Sequence, residues 1–488
     1  MDLDSIRARL VNEFRQFIEA EYVIDDTETQ KPFECDGLSI YRGMPLLVVL
    51  PETLEQVQRI MRACHAAGVP VIARGAGTGL CAGSTPSPEA VLLSMSRFDK
   101  IIEIDRLARS ARVQPGVRNL AITEAAAAYG LFYGPDPSSQ IACSIGGNIA
   151  ENSGGVHCLK YGLTVHNVLE VQMVDVTGEL VTLGGDSLDS SGFDLLALAI
   201  GSEGMLGVVT EIWVKLLPQP PVKQVLLMAF EQVSRAAESV SAIIASGLIP
   251  AGLEMMDELA IEAAEAFVHA GYPLGAKAIL LCELDGVAEE VAADAELVKR
   301  IAQAHEAISL VSAEAAADQA RLWAGRKAAF PAVGRLSPDY YCMDGTIPRH
   351  QLATVLEQIN QLSDHYGLRV ANVFHAGDGN LHPLILYDAN VPGELEKAEL
   401  MGGRILEICV EAGGTVTGEH GVGIEKLDQM CAQFADPELE QFFRVKAVFD
   451  PPGLLNPGKG VPTLARCAEV GGMHVHGGRA PFAGLERF

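Results

Sequence analysis

Val69-Pro70-Val71-Ile72-Ala73-Arg74-Gly75-Ala76-Gly77-Thr78-Gly79-Leu80 is the stretch that decides how the first half of the chain is read. Val69–Ala73 is a short, mostly β-branched apolar run after Gly68, the pattern of a buried strand. Arg74 to Leu80 come at once after it, and the alternating glycines let consecutive amide N–H groups form a concavity for an anion such as a pyrophosphate. A lone glycine-rich loop is as often a tight surface turn. The neighbouring residues narrow the choice. Ser84-Thr85-Pro86-Ser87-Pro88 does not open an amphipathic helix, so a Rossmann-type nicotinamide site is disfavoured. A second small-residue region then appears: Pro135-Asp136-Pro137-Ser138-Ser139, Ser144-Ile145-Gly146-Gly147-Asn148 and Asn152-Ser153-Gly154-Gly155. Two such cradles exceed what turns require and suit a long dinucleotide held by backbone and amide groups.

Working outward, Thr53 and Gln56 form a capping box for a helix whose Leu54, Val57, Ile60, Met61 and Cys64 share one face. Gly68 stands where that helix should end. Strand-like segments recur at Ser110–Gln114, Val168–Val174, Glu179–Leu183 and Val208–Leu217. Leu217-Pro218-Gln219-Pro220-Pro221 reads as a domain boundary. Beyond it, strands at Lys223–Phe230, Gly252–Met256 and Ala278–Leu284 alternate with helices at Gln232–Ser246 and from about Val287. The class expected is α+β, with helices packed on one face of an antiparallel sheet.

The 488 residues suffice for two or three domains. The net charge of −27, without a basic run, argues against a nucleic-acid partner. Ten cysteines with no CxxC pair argue against an iron–sulfur cluster, a four-cysteine zinc site or a disulfide scaffold. Met1-Asp2-Leu3-Asp4 is not a signal-peptide start, and no apolar run reaches about 18 residues. The expectation is a reduced, cytoplasmic protein without a membrane span.

The chemistry concentrates in Asn372–Leu386, NVFHAGDGNLHPLIL. On one strand His375 and His382 would face opposite sides, but the Asp378-Gly379 pair between them predicts a hairpin that brings both imidazoles to one end. Thr417-Gly418-Glu419-His420-Gly421-Val422-Gly423 adds an acid and a third histidine on a glycine-rich loop. A single histidine on an apolar strand is more often a hydrogen-bonded core residue; the weight lies in the combination. His375, His382 and Glu419 with an open position form a ligand set for a catalytic divalent metal, zinc or a neighbouring first-row ion. Such an ion lowers the pKa of a substrate hydroxyl while His420 takes the proton, which suits oxidation of an alcohol carbon beside a carboxylate. Arg326 is the candidate cation for that carboxylate.

Together, PVIARGAGTGL, YGPDPSS, SIGGNIAENSGG, GSEGMLGVVTEIWVKLLP, NVFHAGDGNLHP, TGEHGVGIEK and LLNPGK resemble the FAD-linked 2-hydroxyacid dehydrogenases of the vanillyl-alcohol oxidase type, over roughly residues 40 to 462. RKAAFPAVGRLSPDYYCMDGTIPR and the ending RCAEVGGMHVHGGRAPFAGLERF are similar to the glycolate-oxidising, multi-subunit branch. The resemblance implies a helical segment at 1–41, an FAD-binding domain at 42–220, an α+β substrate and metal domain at 221–462 and a tail at 463–488. It implies that Arg74, Gly75, Ala76, Gly77, Thr78, Gly79 and Leu80 cradle the FAD pyrophosphate. Pro135, Ser138, Ser144, Gly146, Gly147, Asn148, Asn152, Gly154, Gly155, Glu203, Gly204, Gly207, Val208 and Asn456 would line the rest of the cofactor. His375, His382 and Glu419 match metal ligands for Zn²⁺ or Mn²⁺, and His420 the proton acceptor, with Arg326 gripping the hydroxyacid. Hydride would pass from C2 to flavin N5, giving glyoxylate from glycolate or pyruvate from D-lactate.

Two departures from the family pattern bear on substrate and cofactor. Relatives acting on longer diacids carry a lysine shortly before the motif matching Asp344-Gly345-Thr346-Ile347-Pro348, where this chain has Tyr341-Cys342-Met343, so a small monocarboxylate is expected. Some members tether FAD through a histidine in the pyrophosphate loop; here Thr78 stands, the loop has no histidine, and the flavin should be non-covalent. The resemblance further implies a second flavin-domain subunit and an iron–sulfur subunit as partners, with peripheral association at the inner face of the cytoplasmic membrane. The rival readings are a D-lactate dehydrogenase acting alone, a zinc hydrolase, and a scaffold subunit without chemistry.

Overall fold

The computed structural model describes residues 2–185, 187 and 192–462; the expected tail at 463–488 lies outside the described residues. Helix Leu3–Phe14 starts at Asp2, whose carboxylate accepts from the Ser5 amide. Its Leu10, Val11 and Phe14 share a core with helix Leu54–Ala67. In that second helix Thr53 and Gln56 complete the capping box, and Gly68 closes the end at φ 64°. Val57, Ile60, Met61 and Cys64 are buried, as the spacing predicts. They pack on a four-stranded sheet in which Leu47–Val49 and Val71–Arg74 flank Val91–Ser94 in parallel and Val23–Ile24 adds an antiparallel edge.

A second, antiparallel sheet runs in the order Ile101–Asp105, Ser110–Val113, Val208–Lys215, Val168–Val174, Leu180–Gly184. Val208–Lys215 alternates buried and half-buried positions along its length, the period of a strand with one face on a core. That core also takes Ile122 and Ala126 of helix Asn119–Ala126 and Ile145 and Ile149 of helix Ile145–Glu151.

After the proline-rich segment the chain builds an eight-stranded antiparallel sheet. Its order is Ser309–Ala313, Val222–Phe230, Ala278–Gly286, Gly252–Asp257, Val370–His375, Asn380–Tyr387, Asp339–Cys342, with Gly345–Thr346 also pairing onto Asn380–Tyr387. The expectation of helices on one face is corrected here. Val225, Leu227 and Ala229 point to one core, and Leu226, Met228 and Phe230 to another. Strands apolar on both sides leave neither face to water, so both need cover. Helices Val233–Ala245, Ala288–Ala304, Leu352–Tyr366 and Glu394–Glu411 cover the second core. Helices Glu258–Val268, Ala316–Lys327 and Ala329–Val333 cover the first. Among the described residues no helix is long and apolar enough to cross a membrane.

The two halves are latched by charge. His157, from the N-terminal half, makes contacts of 2.7 Å from Nδ1 to Asp136 and 3.2 Å from Nε2 to Glu283 on the large sheet. Glu283 also accepts from Trp323 Nε1 at 2.7 Å and Lys223 Nζ at 2.9 Å. Lys160 and Tyr161 both donate to the buried carboxylate of Asp285. Burial alone would lower the His157 pKa, but Asp136 and Glu283 outweigh it and raise the value from 6.5 to about 10. Because the folded value is the higher one, the latch stabilises fully below pH 6.5 and is lost as pH rises through about 10. The melting temperature of the parent should therefore fall more steeply between pH 7 and pH 10 than that of His157→Gln, at roughly 1.4 kcal/mol of stability per pH unit. Parallel melting curves would show that the latch contributes nothing to stability.

Candidate active site

A cleft of about 400 Å³ opens between the glycine-rich loop, the Ser144–Glu151 region and the loop carrying Glu419 and His420. Arg74, Gly75, Ala76, Gly77, Thr78, Gly79 and Leu80 all line it, as do Ser138, Ser144, Gly146, Gly147, Asn148, Glu203, Gly204, Gly207 and Val208. Among the described residues, no amide of Gly77, Thr78 or Gly79 is a donor in the backbone hydrogen-bond network, so these N–H groups are available to an anion. Gly77 sits at φ +69°, and a Cβ there would lie 2.2 Å from the Arg74 guanidinium. Arg74 is itself buried, with Nη1 lacking a hydrogen-bond partner, a cation held ready at the loop. These features fit a dinucleotide pyrophosphate.

Five of the residues expected at the cofactor are not among those that line the cleft. Pro135 is held through its carbonyl, which accepts from Asn119 Nδ2 at 3.1 Å. Asn152 ends helix Ile145–Glu151 at φ 53° and accepts from the Val165 amide at 2.9 Å. Gly155 backs onto the Asp136 carbonyl. Asn456 Nδ2 donates to the Gly83 and Glu203 carbonyls at 3.0 and 2.6 Å, stapling two parts of the wall together. Gly154 faces the other end of the site: a Cβ there would come within 2.6 Å of Glu419 Oε2, so only glycine lets this loop approach that carboxylate.

The expected hairpin forms, with Val370–His375 paired to Asn380–Tyr387. Val373 stands opposite His382 and His375 opposite Asn380, so cross-strand pairing and the two-residue period put both histidines on the same face. Their Nε2 atoms converge on one oxygen, Glu419 Oε1, at 3.2 Å from His375 and 3.0 Å from His382. Among the described residues, the candidate metal-holding groups here, with ligand atoms all within 4.8 Å of one another, are Asp344, His382, Glu419 and His420, and Cys342, His382 and His420; His375 joins them only through its contact with Glu419. Each histidine also turns Nδ1 to an acceptor: His375 to Glu254 at 2.8 Å and His382 to the Met343 carbonyl at 3.3 Å. In both rings Nε2 is thereby left facing Glu419. His375 does not line the cleft, whereas His382, Glu419 and His420 do.

His420 stacks on His382 with ring centroids 4.9 Å apart, and its buried Nδ1 has no hydrogen-bond partner. Burial pushes its pKa down to about 4, helped by His382 and Lys426 and opposed by Asp344, so at neutral pH it is an uncharged base.

The structure puts Arg326 elsewhere than the sequence pattern suggests. It is 1% exposed, absent from the cleft lining, and pairs with Glu254 through Nε at 2.8 Å and Nη2 at 2.7 Å. Consecutive helix residues point about 100° apart, so Arg326 turns to the sheet while its neighbour Lys327 turns to the cleft. Burial would raise the Glu254 pKa, but His375 and Arg326 outweigh it and hold the carboxylate below its usual range. Lys327 and Asp344 stand inside stretches that carry the family resemblance, but nothing in the sequence assigns either a role, and Glu254 lies in none of those stretches. The one available signal is a charged residue interrupting the buried strand Gly252–Asp257.

Residues 45–184 match the family described as FAD binding domain, and residues 219–460 match the FAD linked oxidases, C-terminal domain. The chain is 61% identical over 485 residues to the glycolate oxidase subunit GlcD of Escherichia coli (strain K12), covering 99% of this chain and 97% of that protein. It is 39% identical over 428 residues to the glycolate oxidase subunit GlcD of Bacillus subtilis (strain 168), covering 88% and 91%. A D-lactate dehydrogenase of Anaerostipes hadrus is 31% identical over 468 residues, covering 93% and 98%. Among solved structures, p-cresol methylhydroxylase with substrate bound superposes with a TM-score of 0.80 at 17% identity, covering 94% of this chain and 98% of that one. In Gly77→Ala the added methyl meets Arg74 in a backbone conformation that costs about 1–2 kcal/mol without glycine. FAD should then be released at least tenfold more readily, read by flavin fluorescence in the filtrate; unchanged retention would count against the loop as its cradle.

Proposed function

This chain belongs to the family of FAD-linked oxidases that includes the GlcD subunits, and we propose that it oxidises glycolate to glyoxylate as the catalytic subunit of a larger complex. The chain is an FAD-dependent oxidoreductase. The observation that carries the substrate reading is the convergence of His375, His382 and Glu419 beside His420 at one end of the cofactor cleft. In this reading 42–220 is the FAD-binding domain and 221–462 the substrate domain.

FAD, which the Arg74–Leu80 loop and the Ser144–Asn148 region would hold, would supply the two-electron hydride chemistry. A divalent ion, Zn²⁺ or Mn²⁺, would be held by His375, His382 and Glu419 and would supply Lewis-acid polarisation of the hydroxyl. Every other part of the reaction falls to side chains. Lys327, which lines the cleft beside Phe330 and Pro331, meets the substrate carboxylate in place of Arg326. Arg326 instead neutralises Glu254, whose other oxygen fixes the His375 ring. His420, neutral at physiological pH, accepts the hydroxyl proton. The wall of glycines, serines and Asn148 holds the cofactor in register with these groups.

With Tyr341-Cys342-Met343 where diacid-oxidising relatives carry a lysine, glycolate is favoured over longer acids, and D-lactate is the second substrate. Thr78 in the pyrophosphate loop supports a dissociable FAD, so acid precipitation should leave the yellow colour in the supernatant. A second flavin-domain subunit and an iron–sulfur subunit carry the electrons onward, with the assembly peripheral to the inner face of the cytoplasmic membrane.

Anaerobic absorbance of the purified chain tests the reading. Glycolate should bleach the flavin faster than D-lactate, and a chelator should protect it. A colourless chain after reconstitution with FAD would leave the zinc hydrolase instead, and faster bleaching by D-lactate would favour the stand-alone dehydrogenase. His420→Asn should lower kcat by about 10²–10⁴. Lys327→Met should raise the KM for glycolate by about 10- to 100-fold, the worth of one charge-assisted hydrogen bond, with kcat nearly kept; an unchanged KM would return the carboxylate to Arg326.

A further inference from the structure

We propose that Asp344 is the positioning residue that presents Glu419 and His420 to the reacting centre, an inference that rests on the reading of His375, His382 and Glu419 as metal ligands. Asp344 is fully buried, shortly after strand Asp339–Cys342. One of its oxygens, Oδ2, accepts from Thr417 Oγ1 at 2.7 Å, Gly418 N at 3.0 Å, His420 N at 2.9 Å and Lys426 Nζ at 3.1 Å. The Glu419 amide lies 3.2 Å from both oxygens. Its main-chain carbonyl accepts from Gly418 N as well, at 2.9 Å. Three successive amides, a hydroxyl and an ammonium thus enclose one carboxylate, an anion nest whose anion is another part of the same chain.

The nest is made in part by the two residues whose side chains do the chemistry. Residues 418 to 420 belong to no helix or strand, so no regular backbone ladder fixes them. Asp344 does so by fixing the amides of Glu419 and His420 at once, which sets where the two side chains start from. The adjacent pairing of Thr346 with Thr415, at 3.0 and 3.2 Å, aligns the approach to the loop but stops short of it. Lys426, fully buried and 3.1 Å from Oδ2, balances the charge that makes the nest strong.

Asp344→Asn keeps the shape of the side chain, removes its charge and turns one acceptor into a donor facing donors. The variants to compare are Asp344→Asn, Thr417→Val and Thr417→Ser, each loaded with FAD, stripped of metal and titrated calorimetrically with Mn²⁺ beside the parent. Asp344→Asn should bind Mn²⁺ about 10- to 100-fold more weakly and lose at least tenfold in kcat with FAD affinity near the parent's, while its melting temperature falls because Lys426 is left buried without its carboxylate. Mn²⁺ affinity and kcat within twofold of the parent would overturn the proposal. If Asp344→Asn does not fold, the Thr417 pair decides: weaker Mn²⁺ binding and lower kcat in Thr417→Val, restored in Thr417→Ser, supports it, and parent-like behaviour of Thr417→Val overturns it. A parent that takes up no Mn²⁺ or Zn²⁺ would sink the metal reading itself, and this inference with it, before any variant is compared.

Discussion

A single carboxylate oxygen, Glu419 Oε1, sits against two imidazoles in the interior, and the arrangement around it follows from the cost of burying that charge. Burial would raise the Glu419 pKa, yet His375 and His382 outweigh it and hold the group well below its usual range. The same logic repeats outward. Glu254 compensates His375 and is in turn compensated by Arg326. Asp344 sits in a nest of amides with Lys426. Alternating charges around the centre let several ionised groups share a space from which water is largely withdrawn, and each one fixes the orientation of the next.

The same principle joins the two halves of the chain. The cleft needs walls from both, because the glycine loop and the Ser144 region come from the N-terminal half, whereas His382, Glu419 and His420 come from the C-terminal half. Glu203 binds the Val422 and Gly423 amides at 2.8 and 2.7 Å, and Asn456 ties its carbonyl to that of Gly83. His157 and Lys160 reach across to Glu283 and Asp285 on the large sheet. The glycine-rich wall and the loop bearing Glu419 and His420 are therefore held in one hydrogen-bonded frame.

Local patterns make much of this legible in the sequence. The capping box at Thr53 and Gln56, the glycine loop and the Asp378-Gly379 turn each depend on residues close in sequence, so their physics is written in a short window. The large sheet departs from the expectation of one helical face because strand periodicity does not say how many faces are covered; the unbroken apolar run Val225–Phe230 carries that information. Arg326 and Lys327 are adjacent and both cationic, and only the helix's rotation relative to the sheet separates them. Glu254 and Asp344 depend on partners 121 and 76 residues away, His375 and His420, and no spacing rule reaches that far.

Register is where fold and chemistry are least separable. His375 and His382 share a face only because Val373 pairs with His382; a slip of one residue would send one imidazole to the opposite core. The turn alone does not enforce this. On its far side the strand Asn380–Tyr387 is paired with Asp339–Cys342, from Cys342 opposite Leu384 to Asp339 opposite Tyr387, and Gly345–Thr346 pairs with Leu381 and Asn380. Asp344 lies between these two paired segments. The strand that fixes the register of the histidines therefore also delivers the carboxylate that holds the Glu419–His420 loop, so the histidine hairpin and that loop are aligned by one piece of backbone.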